Sequence, residues 1–79
     1  MKVYSVEYRI DGVNGSDTNL WANPNKAFRY AMQTAVDSFN NANFYDIEYS
    51  KDGLDVIVFD RYSGQVCAEY WVSEHNVIE

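Results

Sequence analysis

Residues 44–73 read FYDIEYS-KDG-LDVIVFD-RYSG-QVCAEYWVS, three short runs divided by two turn signals. In the first run Tyr45, Ile47 and Tyr49 alternate with Asp46 and Glu48, which is the period-two pattern of a strand with one buried face. The second run, Leu54–Asp60, is apolar on both sides: Leu54, Val56 and Val58 against Ile57 and Phe59. Such a strand belongs inside a sheet rather than at its rim. The third run, Gln65–Ser73, sends Val66, Ala68, Tyr70 and Val72 one way and Cys67, Glu69 and Trp71 the other. Asp52-Gly53 and Tyr62-Ser63-Gly64 supply the tight turns between them, since Gly accepts the positive φ that hairpin turns require. The stretch therefore predicts an antiparallel three-strand unit.

Upstream, Lys2–Ile10 alternates in the same way, with Tyr4, Val6, Tyr8 and Ile10 on one side and Val3, Ser5, Glu7 and Arg9 on the other. Asp11-Gly12 and Asn14-Gly15 are both turn dipeptides, and Thr18–Ala22 is expected to return as a second strand. Asn23-Pro24 then opens a helix: the Asn side chain can accept from a free backbone N–H, and Pro at the first helical position sacrifices no hydrogen bond. Phe28, Ala31, Ala35 and Phe39 recur at helical spacing, flanked by Ala27 and Met32, so the helix should run from Pro24 to about Phe39. Asn40–Asn43 suits a left-handed cap and exit loop. Residues 74–79 read as a frayed tail. The order β-β-α-β-β-β implies an α+β fold, an antiparallel sheet of four to five strands with one helix on one face. The whole chain, 1–79, reads as a single domain.

At 79 residues the chain buries only about 60–65% of the surface its unfolded form exposes. Its 13 aromatic residues must supply much of the core. No run is long enough to span a bilayer, and the N-terminus lacks the basic and apolar regions of a signal peptide. The single Cys67 allows no internal disulfide, which fits a reducing cytoplasm. A pI near 4.5 argues against direct binding to nucleic acid or to an anionic membrane.

The charge is unevenly spread. Residues 37–79 hold nine acidic and two basic residues, net −7; residues 1–36 hold three acidic and four basic, net +1; together they give −6. If the helix covers the face of Tyr4, Val6, Tyr8, Tyr45, Ile47, Tyr49, Val56, Val58, Ala68 and Tyr70, the opposite face carries Glu7, Arg9, Asp46, Glu48, Asp55, Ile57, Phe59, Glu69 and Trp71. Cys67 is expected there as well. One helix cannot cover both faces of five strands, so this face meets water or a partner. Like charges directly across strands would cost about 0.2–1 kcal/mol per pair. Solubility and protection of sheet edges account for acids on a wet face. They do not account for Ile57, Phe59 and Trp71 at its centre, because apolar clusters with polar rims mark interaction surfaces.

The sequence carries no catalytic signature. His75 is the only histidine and lies in the expected tail, poorly placed for a triad that needs rigid support. One His and one Cys lack the spacing of a zinc site. Asp11–Asp17 lacks the ligand spacing and closing Glu of a calcium loop. Asp46 and Glu48 stand roughly 6–7 Å apart by strand rise, near the separation used by inverting glycosidases, but with no cleft to exclude water. The tyrosines lack the interleaved basic residues of a base-stacking platform. Acidic neighbours should raise the pKa of Cys67 and quiet it.

In size, net charge, lack of a catalytic motif and the carboxylates Asp46, Glu48, Asp55, Asp60 and Glu69, the chain resembles small acidic proteins of phages and mobile elements, including anti-CRISPR proteins and other DNA mimics. The likeness covers the C-terminal half. It implies a non-catalytic inhibitor or adaptor that docks on a basic, nucleic-acid-binding protein in the cytoplasm, the host's if the chain is phage-encoded. It implies no cofactor and no metal. The expected docking residues are Glu7, Asp46, Glu48, Asp55, Ile57, Phe59, Asp60, Glu69 and Trp71. The alternative is a self-associating or subunit domain whose open sheet face, or an edge strand, is an obligate interface. Monomer and homodimer both fit the sequence.

Overall fold

The computed structural model describes residues 1–50 and 52–78. Its elements are β1 (Lys2–Ile10), β2 (Val13–Ser16), α1 (Pro24–Ser38), β3 (Tyr45–Ser50), β4 (Asp55–Asp60) and β5 (Val66–Asn76). The five strands form one sheet in the order β2-β1-β5-β4-β3, every neighbour antiparallel. α1 lies across one face, giving the expected α+β architecture.

The first hairpin departs from the sequence expectation. Asp11 and Gly12 both have positive φ, 51° and 80°, the signature of a two-residue type I′ turn. The chain pairs back at once, and Asn14-Gly15 lies inside β2 rather than at a turn. Residues 18–22 form no strand of their own. Asp17 N–H donates to Val6 O, and only Trp21 bridges β1, through two backbone bonds to Tyr4 of 2.7 and 2.8 Å. Gly15 is needed for space: it sits directly opposite Tyr8, and a Cβ there would lie 2.5 Å from the Tyr8 ring. Gly15→Ala should therefore displace that ring and cost about 1 kcal/mol, the low end for overpacking because Tyr8 is half-buried. Urea denaturation checks the cost.

α1 begins as expected, with Asn23 Oδ1 accepting from Asn25 N at 2.8 Å and Pro24 in the first turn. Its buried stripe is Ala27, Phe28, Ala31 and Ala35. Three alanines let the helix approach the sheet closely, while Phe28 fills the gap. The C-terminus corrects the left-handed cap: Phe39 ends the helix at φ −126°, donating to Ala35 O, and no residue of 40–43 has positive φ. The Phe39 ring instead packs edge-on against Tyr45, their centroids 5.0 Å apart.

Beneath the helix, Val6, Val56, Val58, Ala68 and Tyr70 are buried, with Tyr4, Tyr8, Ile10, Tyr45, Ile47 and Val72 packed around them. This is the face that the alternation assigns to the core. Leu54, expected to begin β4, instead lies in the turn at φ 51°. The C-terminal segment is not a frayed tail up to Asn76: β5 continues through Glu74, His75 and Asn76, pairing with Tyr4, Val3 and Lys2. No helix among the described residues is long and apolar enough to cross a membrane.

Candidate functional site

The face away from α1 is built by four strands, β1, β5, β4 and β3, whose register is set by core packing on the other side. Across the sheet, Glu7 stands opposite Trp71 and Trp71 opposite Asp55. In the next row Arg9 faces Glu69, Glu69 faces Ile57, and Ile57 faces Glu48. In the third row Phe59 faces Asp46. Eight of the nine expected docking residues thus share one surface: Glu7, Asp46, Glu48, Asp55, Ile57, Phe59, Glu69 and Trp71. None of Ile57, Phe59 and Trp71 belongs to the core cluster or its packed surround.

The register also corrects the expected cost. No two of these acids are direct cross-strand partners; each stands opposite an apolar side chain, Arg9 or a serine. Carboxylates in one row are separated by an intervening strand, about 10 Å, and successive rows by about 7 Å. The like-charge penalty is therefore spread over longer, diagonal distances, and the surface alternates acid and aromatic.

Asp60 is the exception. It pairs with Tyr45, a core-side residue, and its carboxylate caps the next turn, accepting from Tyr62 N and Ser63 N at 2.9 Å each. Those two amide bonds, Ser63 first, hold its pKa below the ordinary carboxylate value. It is a turn residue rather than part of the open face. Cys67 also leaves that face. Val58 pairs with Ala68 and Phe59 with Val66, so Cys67 is the unpaired residue of a bulge and packs against the core. Burial, then the charges of Asp60 and Asp11, push its thiol pKa up, as the acidic neighbourhood implied.

The carboxylates differ in how they are held. Glu7 is fixed: Oε1 accepts from Ser5 Oγ at 3.1 Å and Oε2 from Ser16 Oγ. Arg9 donates Nε–H to Asn14 Oδ1 at 2.9 Å rather than bridging Glu69. Among the described residues the one salt bridge is Lys2–Glu74, 3.5 Å, which leaves Asp46, Glu48, Asp55 and Glu69 without a cationic partner there. Asp55 Oδ1 is buried and accepts no hydrogen bond from any described residue.

Ser5 and His75 also meet on this face. Ser5 Oγ lies 2.8 Å from His75 Nε2, with Glu7 on its other side. The composition suggests a hydrolytic triad, but the order is wrong: a triad places the base between nucleophile and acid. Here the serine is in the middle, is 5% exposed, and has no room for an attacking trajectory. The three groups form a positioning chain that holds Glu7.

Other features lay outside the sequence reading. A groove of about 440 Å³ runs between α1 and β3, lined by Asn25, Phe28, Arg29, Met32 and Tyr49. Phe44 and Tyr62 pair in the open at one end of the sheet, their ring centroids 6.4 Å apart. Neither was legible locally, because each joins residues from separate elements. Compared with known proteins, the chain matches no family model, no curated sequence and no solved structure.

Proposed function

We propose that this protein is a non-catalytic inhibitor or adaptor that sets its open sheet face on a basic surface of another protein, one that ordinarily holds nucleic acid. The observation that carries the reading is the alternation of carboxylates with the half-buried Ile57, Phe59 and Trp71 on the face away from α1. A partner that covers Trp71 would exclude water around the indole, and its Lys or Arg side chains would pair with the exposed Asp46 and Glu48. Regularly spaced negative charge supports the comparison with a phosphate backbone and raises encounter rates with a basic groove. A homodimer through this face would cover the aromatics but bring the acids together. In the phage and mobile-element setting that the resemblance implies, the partner would be host defence machinery.

The test is capture from bacterial lysate on immobilised protein, washed at low and high salt, followed by kinetics on the purified partner. Basic proteins should be retained at low salt and released at high salt. Trp71→Ala should speed dissociation roughly thirtyfold, the scale of a central aromatic hot spot. An off-rate unchanged by Trp71→Ala removes the aromatic anchor. Capture indifferent to salt removes the electrostatic argument. A stable dimer at micromolar concentration, broken by the same substitution, would favour self-association instead.

A further inference from the structure

A second site lies on the helix side of the sheet, where no acidic face is involved. A cavity of about 230 Å³ opens between β1, β5 and α1. Val6 and Ile10 give it an apolar wall, and Tyr8, Tyr30 and Tyr70 line the rest together with Asp17 and the hydroxyls of Thr34 and Ser38. Tyr8 and Tyr70 are tilted against one another at 42° with centroids 6.1 Å apart. Tyr30 donates its phenol hydrogen to Asp17 Oδ2 at 2.8 Å, and Asn19 N–H donates to Asp17 Oδ1 at 2.9 Å. The carboxylate is therefore held in place and keeps free lone pairs. Tyr70 is 1% exposed, and its hydroxyl is buried with no hydrogen-bond partner among the described residues. Gly15 contributes indirectly, since only a glycine there leaves room for the Tyr8 ring in its present position.

These parts are matched by one ligand chemistry. Three aromatic rings line the cavity, and an aromatic ring attracts a cation over its face. A fixed carboxylate repels anions and strengthens a cationic donor. An orphaned phenol oxygen is satisfied by a donor, and an ammonium group offers three donors and no acceptor. We infer that the cavity bounded by Tyr8, Tyr30, Tyr70 and Asp17 is a binding site for a primary alkylammonium group, its stem along Val6 and Ile10 and its head between Asp17 and Tyr70. The head group belongs to a free alkylamine or to a lysine side chain of a polypeptide; both present the same atoms. The site is separate from the open face, and neither reading depends on the other.

The experiment is a titration of the intact protein with n-butylammonium chloride, followed by the aromatic proton resonances of the tyrosines and by calorimetry. Saturable binding near millimolar strength is expected for a ligand of so few atoms, with shifts at Tyr8, Tyr30 and Tyr70. Nα-acetyl-lysine N-methylamide distinguishes the two sources: binding comparable to n-butylammonium admits a polypeptide lysine, and absence of binding restricts the site to free amines. 1-Butanol, the neutral isostere, should bind at least about tenfold more weakly. Asp17→Asn should weaken the ammonium about tenfold or more and Tyr70→Phe severalfold, with both variants folded by circular dichroism. Equal binding of 1-butanol, tyrosine resonances unmoved by n-butylammonium, or affinity untouched by both substitutions would overturn the assignment.

Discussion

Tyr70→Ala should strip about 3–5 kcal/mol from the stability of the fold, whereas Tyr70→Phe should raise its melting temperature. Tyr70 stands in β5, the middle strand, with β1 on one side and β4 on the other. Truncating a buried aromatic to alanine removes about 3–5 kcal/mol. A domain of 79 residues holds about 4–12 kcal/mol in all, so the loss takes between a quarter and all of the margin. Phenylalanine keeps the ring and deletes a buried hydroxyl that has no partner. Removing such a group relieves its desolvation, and a gain of about 1 kcal/mol, or about 4–8 °C, should appear in thermal melts. Alkali gives an independent check. Burial raises the Tyr70 phenol pKa above 10.0, and the Ser38 hydroxyl eases the shift without reaching bonding geometry. The unfolded chain loses that proton first, so this group's contribution is full below about pH 10 and falls as pH climbs toward the native value. Tyr70→Phe should remove Tyr70's share of the alkaline loss. The hydrogen bond to Asp17, then burial, raises Tyr30 as well, and burial raises Cys67, so a residual slope remains. A cooperative Tyr70→Ala transition within about 1 kcal/mol of the parent would contradict the placement of this ring at the centre of the core.

Reversing Asp46, Glu48 and Glu69 to lysine together should slow association with the captured partner about ten- to a hundredfold at low salt and flatten the salt dependence of the rate. The three residues occupy two adjacent rows around Ile57 and Phe59. The substitutions move the net charge from −6 to 0, so a control must separate the patch from the total. Asp37, Asp52 and Glu74 lie elsewhere; reversing them changes the total charge equally and should slow association far less. Equal slowing in both triples would mean that overall acidity, rather than this face, governs encounter. Stopped-flow kinetics over a series of salt concentrations reads the difference. Trp71 is untouched in both triples, so dissociation should change little compared with Trp71→Ala.

The alternation in residues 44–73 made the two faces of the sheet legible, because a period of two assigns each side chain to a side whatever strand lies next to it. Which residues meet across strands was not legible. That depends on register between segments far apart in the chain, and it turned an expected set of like-charge neighbours into acid–aromatic alternation. β2 was misplaced because Asn14-Gly15 is as good a turn signal as Asp11-Gly12; the first dipeptide closed the hairpin, and the second was recruited for the space it leaves beneath Tyr8. The bulge that withdraws Cys67 has no local sign. His75 was assigned to a loose end because nothing in Glu74–Asn76 announces a partner, and that partner is the start of β1. The cavity of Tyr8, Tyr30, Tyr70 and Asp17 draws on four separate segments. Tyr8 and Tyr70 looked like ordinary core edge and Tyr30 carried no signal, and only an unsatisfied hydroxyl seen in three dimensions distinguished them.

The sheet order β2-β1-β5-β4-β3 has a consequence for biosynthesis. Within the sheet the first hairpin and the β3–β4 hairpin are joined only by β5, which follows both of them in the chain. Until it arrives, both halves expose edges that have no mate, and the helix has only part of a floor to rest on. Folding therefore locks from the centre outward once β5 is in place, and a chain cut before Val66 would be a target for chaperones and proteases rather than a smaller version of the finished protein.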